Sequence, residues 1–205
     1  VLLLPGAGQG TQCWEPVALA LARRGVGVAC LEYPGHGEHP WPLPPSTGLR
    51  DYFLLAARAA ADLGRPLLVG HDLGGWLACM LLGLADMPAL LLAPWPGRGG
   101  LLALAPRVGW GLVRGLPQAP GLMNEPFALR WQAALGLSRA APERKGSAPC
   151  LVAAPGKKPL VPPDRLAALA QALKAGFVHL PQSSHHLWQE PEVVLKLIRQ
   201  LAAEF

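Results

Sequence analysis

Short apolar runs alternate along the chain with longer stretches whose apolar residues recur at helical spacing, and glycine or proline separates one from the next. Val1-Leu2-Leu3-Leu4 reads as a buried strand closed by Pro5-Gly6. A helix is expected near Trp14–Arg24, with Val17, Leu19, Leu21 and Ala22 apolar and Gly25 as its stop. Val26–Leu31 predicts a second strand, followed by a glycine-rich loop and a proline-rich stretch through Pro45. Residues near Leu49–Leu63 predict a helix closed by Gly64, and Pro66–Gly70 a third strand. The apolar run from Trp76 to Leu82 predicts a helix, and Pro88–Ala93 a fourth strand. Strands and helices alternating at this spacing imply a parallel sheet with helices on both faces.

Residues 95–147 break the rhythm. They carry glycine and proline, no β-rich run, and helical candidates at Leu101–Val113 and Phe127–Leu137, so they are expected to form a short helical cap. The core is then 1–94 together with 148–205. The alternation resumes with a strand at Cys150–Ala154, a helix at Pro163–Ala175, a strand at Phe177–Leu180 and a last helix at Glu190–Ala203.

Composition narrows the class. With 205 residues, 51% hydrophobic and 15% charged, the chain is expected to be one domain with a thick layered core. The net charge of +5 comes from scattered arginines, without the concentrated basic stripe of a nucleic-acid groove. No apolar run is long enough to span a membrane, and no basic n-region precedes the first strand. The four cysteines lack metal-ligand spacing and fit free thiols of a core, so no metal site is expected, and a reducing, cytoplasmic setting is. The chain starts inside a strand, which leaves room for residues upstream.

The densest chemistry lies at Gly70-His71-Asp72-Leu73-Gly74-Gly75. A strand, a sharp glycine-flanked turn and a helix at this spacing make a nucleophile elbow, in which backbone crowds around one exposed side chain. The usual pattern is G-x-S-x-G; here Asp72 stands at the serine position. The chain has five serines and none lies in an elbow. An ionised carboxylate needs no base in order to attack, and on an sp³ carbon bearing a leaving group it forms a stable alkyl ester. A histidine then activates water to hydrolyse that ester.

Four landmarks in order resemble the α/β-hydrolase family over nearly the whole chain. Pro5-Gly6-Ala7-Gly8 resembles its oxyanion loop, Tyr33-Pro34-Gly35-His36-Gly37 its P-G-H-G loop, Gly70–Gly75 its elbow, and Ser184-His185-His186-Leu187-Trp188-Gln189-Glu190-Pro191 its terminal histidine loop. The resemblance implies an α/β-hydrolase fold, a mostly parallel sheet with a cap insertion. It makes Asp72 the nucleophile, His185 the base, and the amides of Gly6, Ala7 and Leu73 oxyanion donors. The Gly-His-Asp-x-Gly-Gly string is similar to the haloalkane dehalogenase, fluoroacetate dehalogenase and epoxide hydrolase branch, which uses no cofactor.

The leaving group separates those options. Epoxide hydrolases use cap tyrosines, whereas Tyr33 and Tyr52, the two tyrosines here, lie outside 95–147. Indole N–H groups can hold a halide, and Trp95, Trp110 and Trp131 fall at or within the cap; they also suit its apolar underside. Leu73 stands where the fluoroacetate enzymes carry arginine. The expected partner is a small hydrophobic substrate, with no nucleic acid and no membrane, acted on by a monomer or homodimer.

Three positions depart from the family's pattern: Asp72 itself, Pro5 where histidine is common, and the catalytic acid. Lys158 of Gly156-Lys157-Lys158-Pro159 occupies that acid's usual place, and Pro94-Trp95, the alternative position, also lacks a carboxylate. Asp164 suits a helix N-terminus, and Glu125 of the cap is a remote candidate for the acid. His71 is expected under the elbow, His36 in loop packing and His186 at the surface. The alternative to an active enzyme is a catalytically inactive protein of this fold, or a decayed serine esterase, binding a ligand or partner.

Overall fold

The computed structural model describes residues 1–34, 36–37, 49–95 and 144–203. They form six strands: β1 (Leu2–Leu4), β2 (Ala29–Cys30), β3 (Leu68–His71), β4 (Ala89–Leu92), β5 (Cys150–Lys157) and β6 (Gly176–Ser184). Five α-helices accompany them: α1 (Glu15–Ala22), α2 (Leu49–Asp62), α3 (Leu73–Leu82), α4 (Pro163–Ala172) and α5 (Pro191–Ala202). Every ladder is parallel, and the sheet order is β2-β1-β3-β4-β5-β6. The expected mostly parallel sheet is therefore wholly parallel among the described residues.

Parallel strands buried on both faces need apolar residues at every position, which is what the sequence supplies. Alternation then sorts them. Leu2, Leu4, Leu68, Ala89, Leu91 and Val152 face one side, with Tyr52 and Ala56 of α2, Trp76 and Leu77 of α3 and Leu166 of α4. Leu3, Val69, Leu90, Leu92, Leu151 and Ala153 face the other, with Val17 and Leu21 of α1 and Val194, Leu197 and Leu201 of α5. Each large side chain buried in these layers contributes about 1.5–3 kcal/mol. Two helices on one face and three on the other complete the layered fold.

Element bounds differ from the sequence expectation in instructive places. Thr11–Trp14 is a 3₁₀ turn, and α1 starts only at Glu15, with Pro16 in its first turn, where a missing N–H costs nothing. β2 is two residues instead of six, because it is an edge strand whose partner β1 has only three. β6 runs on through Pro181 to Ser184 because an edge strand tolerates proline, and a register irregularity at Pro155/Lys157 carries the pairing to Lys157↔Ser184. The proposed cap helices Leu101–Val113 and Phe127–Leu137 lie outside the described residues, as do Trp110 and Trp131.

From β1 the chain passes to β2 on one side of the sheet, whereas β3 lies on the other. That reversal opens a crevice beyond the carboxyl ends of β1 and β3, where α/β sheets place ligands. Pro5-Gly6-Ala7 follow β1 and Asp72 follows β3, so both reach the crevice.

Asp72 itself is left-handed, with φ 52° and ψ −115°. A residue without glycine's freedom persists there only where its surroundings force it, at a cost of about 1–3 kcal/mol. The force comes from the start of α3, which lies against β1. A Cβ built on Gly74 would run into the Leu4 carbonyl and lie 2.5 Å from the Pro5 oxygen; one built on Gly70 would lie 2.5 Å from the Gly74 oxygen. Gly74→Ala should therefore lower stability by about 2–3 kcal/mol or leave the chain insoluble. A urea midpoint matching wild type would show that β1 and α3 are not locked together.

Candidate functional site

The left-handed turn aims the Asp72 side chain away from the helix it begins. Its backbone is fully engaged: the Asp72 N–H donates to the Leu92 carbonyl at 3.1 Å, and its carbonyl accepts from Trp76 and Trp95 N–H, each at 3.1 Å. The carboxylate is 6% exposed. Oδ2 accepts the Ala7 N–H at 3.2 Å, and the Leu73 N–H also bonds to the carboxylate. Oδ1 is buried and makes no hydrogen bond. One oxygen is anchored and the other is bare.

Burial pushes the Asp72 carboxyl up to about 7, against the opposing pull of the Ala7 and Leu73 amides. The groups that bond it are uncharged main-chain amides. Burial holds His185 well below the usual imidazole range, with the nearby rings of His71 and His186 adding to the effect. Burial likewise brings His71 down to about 3.

The candidate oxyanion donors divide. Ala7 and Leu73 bond the carboxylate, whereas the Gly6 N–H donates to Gln9 Oε1 at 2.8 Å and is not directed at Asp72. Gln9, 6% exposed, carried no sequence signal: a glutamine in a glycine loop has neither periodicity nor a motif to mark it.

His185 lies just beyond β6, 6% exposed, with its ring centroid 5.0 Å from that of His71. Its Nδ1 is buried and makes no hydrogen bond among the described residues, none of which offers a carboxylate to the ring. Lys158, at the acid's expected place, is exposed and left-handed at φ 47°. Asp164 sits in the first turn of α4, in keeping with a helix-dipole role. Glu125 lies outside the described residues.

The histidine loop is instead fastened through its main chain. Glu190 Oε2 accepts the Ser183 hydroxyl at 2.7 Å, Glu190 Oε1 accepts the Ser184 N–H at 3.0 Å, and the His185 carbonyl lies 2.9 Å from His71 Nε2. His71 is thus under the elbow, as expected. His186 is half-buried and not at the surface, because it is wedged 5.5 Å from the His185 ring and 5.6 Å from Trp188. Trp95 is 8% exposed and packs in the cluster that contains Trp76 and Leu73. His36 joins Tyr33 and Tyr52 in an edge-on aromatic group, and the Pro34 carbonyl accepts from Tyr52 Oη at 3.2 Å. Among the described residues no group of acidic, histidine and cysteine side chains could hold a metal ion, and no helix is long and apolar enough to cross a membrane.

An all-parallel α/β sheet with a left-handed strand-to-helix turn at its switch point, an amide-bearing loop beside it and a histidine beyond the last strand defines the class. The chain belongs to the alpha/beta hydrolase family, whose model matches residues 1–197. It is 38% identical over 73 residues to a probable esterase, PIR7A, of Oryza sativa subsp. indica; that match spans 34% of this chain and 28% of the rice protein. In fold it is similar to a monoacylglycerol lipase of Paleococcus ferrophilus, with TM-score 0.76 at 17% identity, covering 100% of this chain and 94% of the other. It is also similar to E-2-(acetamidomethylene)succinate hydrolase, with TM-score 0.75 at 21% identity, covering 99% and 91%.

The raised Asp72 pKa has a consequence for stability. Its folded value, about 7, exceeds the ordinary 3.8, so the folded state holds a proton that the unfolded state releases. The stabilisation is full below the unfolded value and is lost as pH rises towards the folded one. Between pH 5 and 8 wild type should lose about 2–3 kcal/mol from this group, a loss absent in Asp72→Asn. Parallel urea curves for the two proteins at both pH values check it; identical pH dependence would show that Asp72 ionises as if in water.

Proposed function

We propose that the chain is a hydrolase that uses Asp72 as nucleophile and His185 as base, acting on a small hydrophobic molecule whose sp³ carbon carries a leaving group. The observation that carries this reading is the asymmetry of the carboxylate, with Oδ2 tied to the Ala7 N–H and Oδ1 without a partner among the described residues. A serine in the same turn would leave both amides to a substrate oxygen. A carboxylate brings its own oxygen to them.

In the first step Oδ1 attacks the carbon; a C–O bond forms and the leaving group departs with its electron pair. In the second, His185 takes a proton from water as the water oxygen adds to Asp72 Cγ. Negative charge then develops on Oδ2, which already accepts the Ala7 N–H, so that dipole needs no reorganisation. Collapse expels the alkoxide, which takes the proton from His185, and the regenerated Asp72 carboxyl releases its own proton to solvent. No step calls on a cofactor. His185 held neutral by burial is ready to accept a proton. Trp95, packed in the apolar cluster that contains Leu73, supplies apolar wall for the substrate.

Intact-mass measurement after exposure to alkyl halides and epoxides tests the reading. His185→Gln should retain an alkyl adduct, and Asp72→Asn should prevent it. The rate of adduct formation should rise about tenfold per pH unit below the Asp72 pKa of about 7 and level off above it. An unshifted mass across the panel would overturn the nucleophile assignment.

A second reading, a decayed serine esterase, is favoured by the bare Nδ1 of His185, since an imidazolium formed there has no carboxylate to stabilise it. The stretch shared with the rice probable esterase points the same way. On this reading Asp72→Ser gains hydrolysis of p-nitrophenyl acetate, while the parent chain forms no alkyl adduct. An alkyl adduct on Asp72 of the parent chain would rule it out.

A further inference from the structure

We infer that His71 is a positioning residue for His185, fixing the base through its main-chain carbonyl where a complete triad fixes it through a carboxylate on the ring. The inference rests on the assignment of His185 as base.

The His185 carbonyl accepts two hydrogen bonds, one from the Leu187 N–H at 2.9 Å within its own loop, the other from His71 Nε2 at 2.9 Å. Only the second reaches outside the loop. It ends on β3, one residue before the nucleophile, in a strand whose His71 is in register with Leu92 of β4. The donor is therefore as rigid as the centre of the sheet. On the other flank, Glu190 holds Ser183 and Ser184. The 183–185 segment is pinned from both sides, so the His185 backbone is held relative to β3, the strand that ends just before Asp72.

The proton arrangement at His71 follows from its neighbours. Both ring nitrogens face oxygen, Nε2 the His185 carbonyl at 2.9 Å and Nδ1 the Gln9 side chain at 3.3 Å. The Gln9 amide cannot be turned to offer its nitrogen, because its oxygen accepts the Gly6 N–H at 2.8 Å. A neutral imidazole has one N–H, and the shorter contact takes it. Burial keeps the ring neutral. His71 is the Nε2–H tautomer, and its proton goes to His185.

His71→Leu removes the donor and keeps an apolar body; His71→Gln restores an N–H close to the position of Nε2. In the full chain, His71→Leu should slow hydrolysis of the alkyl–Asp72 ester by about tenfold or more, so that adduct accumulates, while the rate of alkylation stays within about threefold of wild type. The ¹⁵N resonances of the His185 ring should shift and broaden in the same variant. His71→Gln should restore both. Wild-type His185 resonances in a folded His71→Leu protein, or a His71→Gln protein as impaired as His71→Leu, would overturn the inference. If His71→Leu does not fold, His71→Asn, whose amide stops short of the His185 carbonyl, takes its place with the same two outcomes. Absence of any adduct in wild type and in His185→Gln would defeat the nucleophile reading, and the His185 resonances would still decide the role of His71.

Discussion

The close approach of the start of α3 to the end of β1 is the constraint on which the site depends. Gly74 lies where any side chain would meet the Leu4 and Pro5 backbone, and that approach leaves Asp72 no conformation but the left-handed one. The same approach brings the loop after β1 under the turn, so that the Ala7 N–H reaches the carboxylate. Nucleophile candidate and oxyanion cradle are therefore two results of one packing event. The strain at Asp72 is carried by its neighbours: the last residue of β4, Leu92, accepts its N–H, and Trp95, just beyond β4, donates to its carbonyl.

Much of this was legible in the sequence. Uninterrupted apolar runs could only be strands buried on both faces, and glycines at 70, 74 and 75 could only mark a turn where backbones touch. What escaped reading was set by partners far away in the chain. The His71 bond to the His185 carbonyl spans 114 residues, and nothing local at either end announces it. Gln9 takes the Gly6 amide away from the crevice by a side-chain bond that no spacing encodes. β6 outruns the Phe177–Leu180 expected from sequence, because its edge position, a property of the sheet and not of the segment, makes Pro181 harmless.

Replacing a hydroxyl by a carboxylate in one cradle changes what the rest of the site must supply. A serine is neutral and inert until a base removes its proton, so it demands a histidine oriented before the first step. A carboxylate is a nucleophile as soon as it is ionised, and the demand on the histidine moves to the second step, hydrolysis of the ester. The bare Nδ1 of His185 is therefore less damaging to this chain than it would be to a serine enzyme. The difficulty moves instead to ionisation, since burial with no cation among the crevice residues described holds the Asp72 carboxyl near 7.

On the proposed mechanism, that balance suits an apolar substrate. A hydrophobic molecule entering the crevice displaces water, which strengthens the attraction between the anchored oxygen and the Ala7 amide and leaves the unbonded oxygen poorly solvated. A poorly solvated carboxylate oxygen is a stronger nucleophile than a hydrated one, at the cost of being harder to ionise. On the proposed mechanism the Ala7 amide eases the conflict by stabilising charge on Oδ2, while Oδ1 has no partner among the described residues. A third amide from Gly6 would stabilise the anion further and blunt its attack. Gln9, by occupying the Gly6 N–H, keeps the carboxylate only partly satisfied.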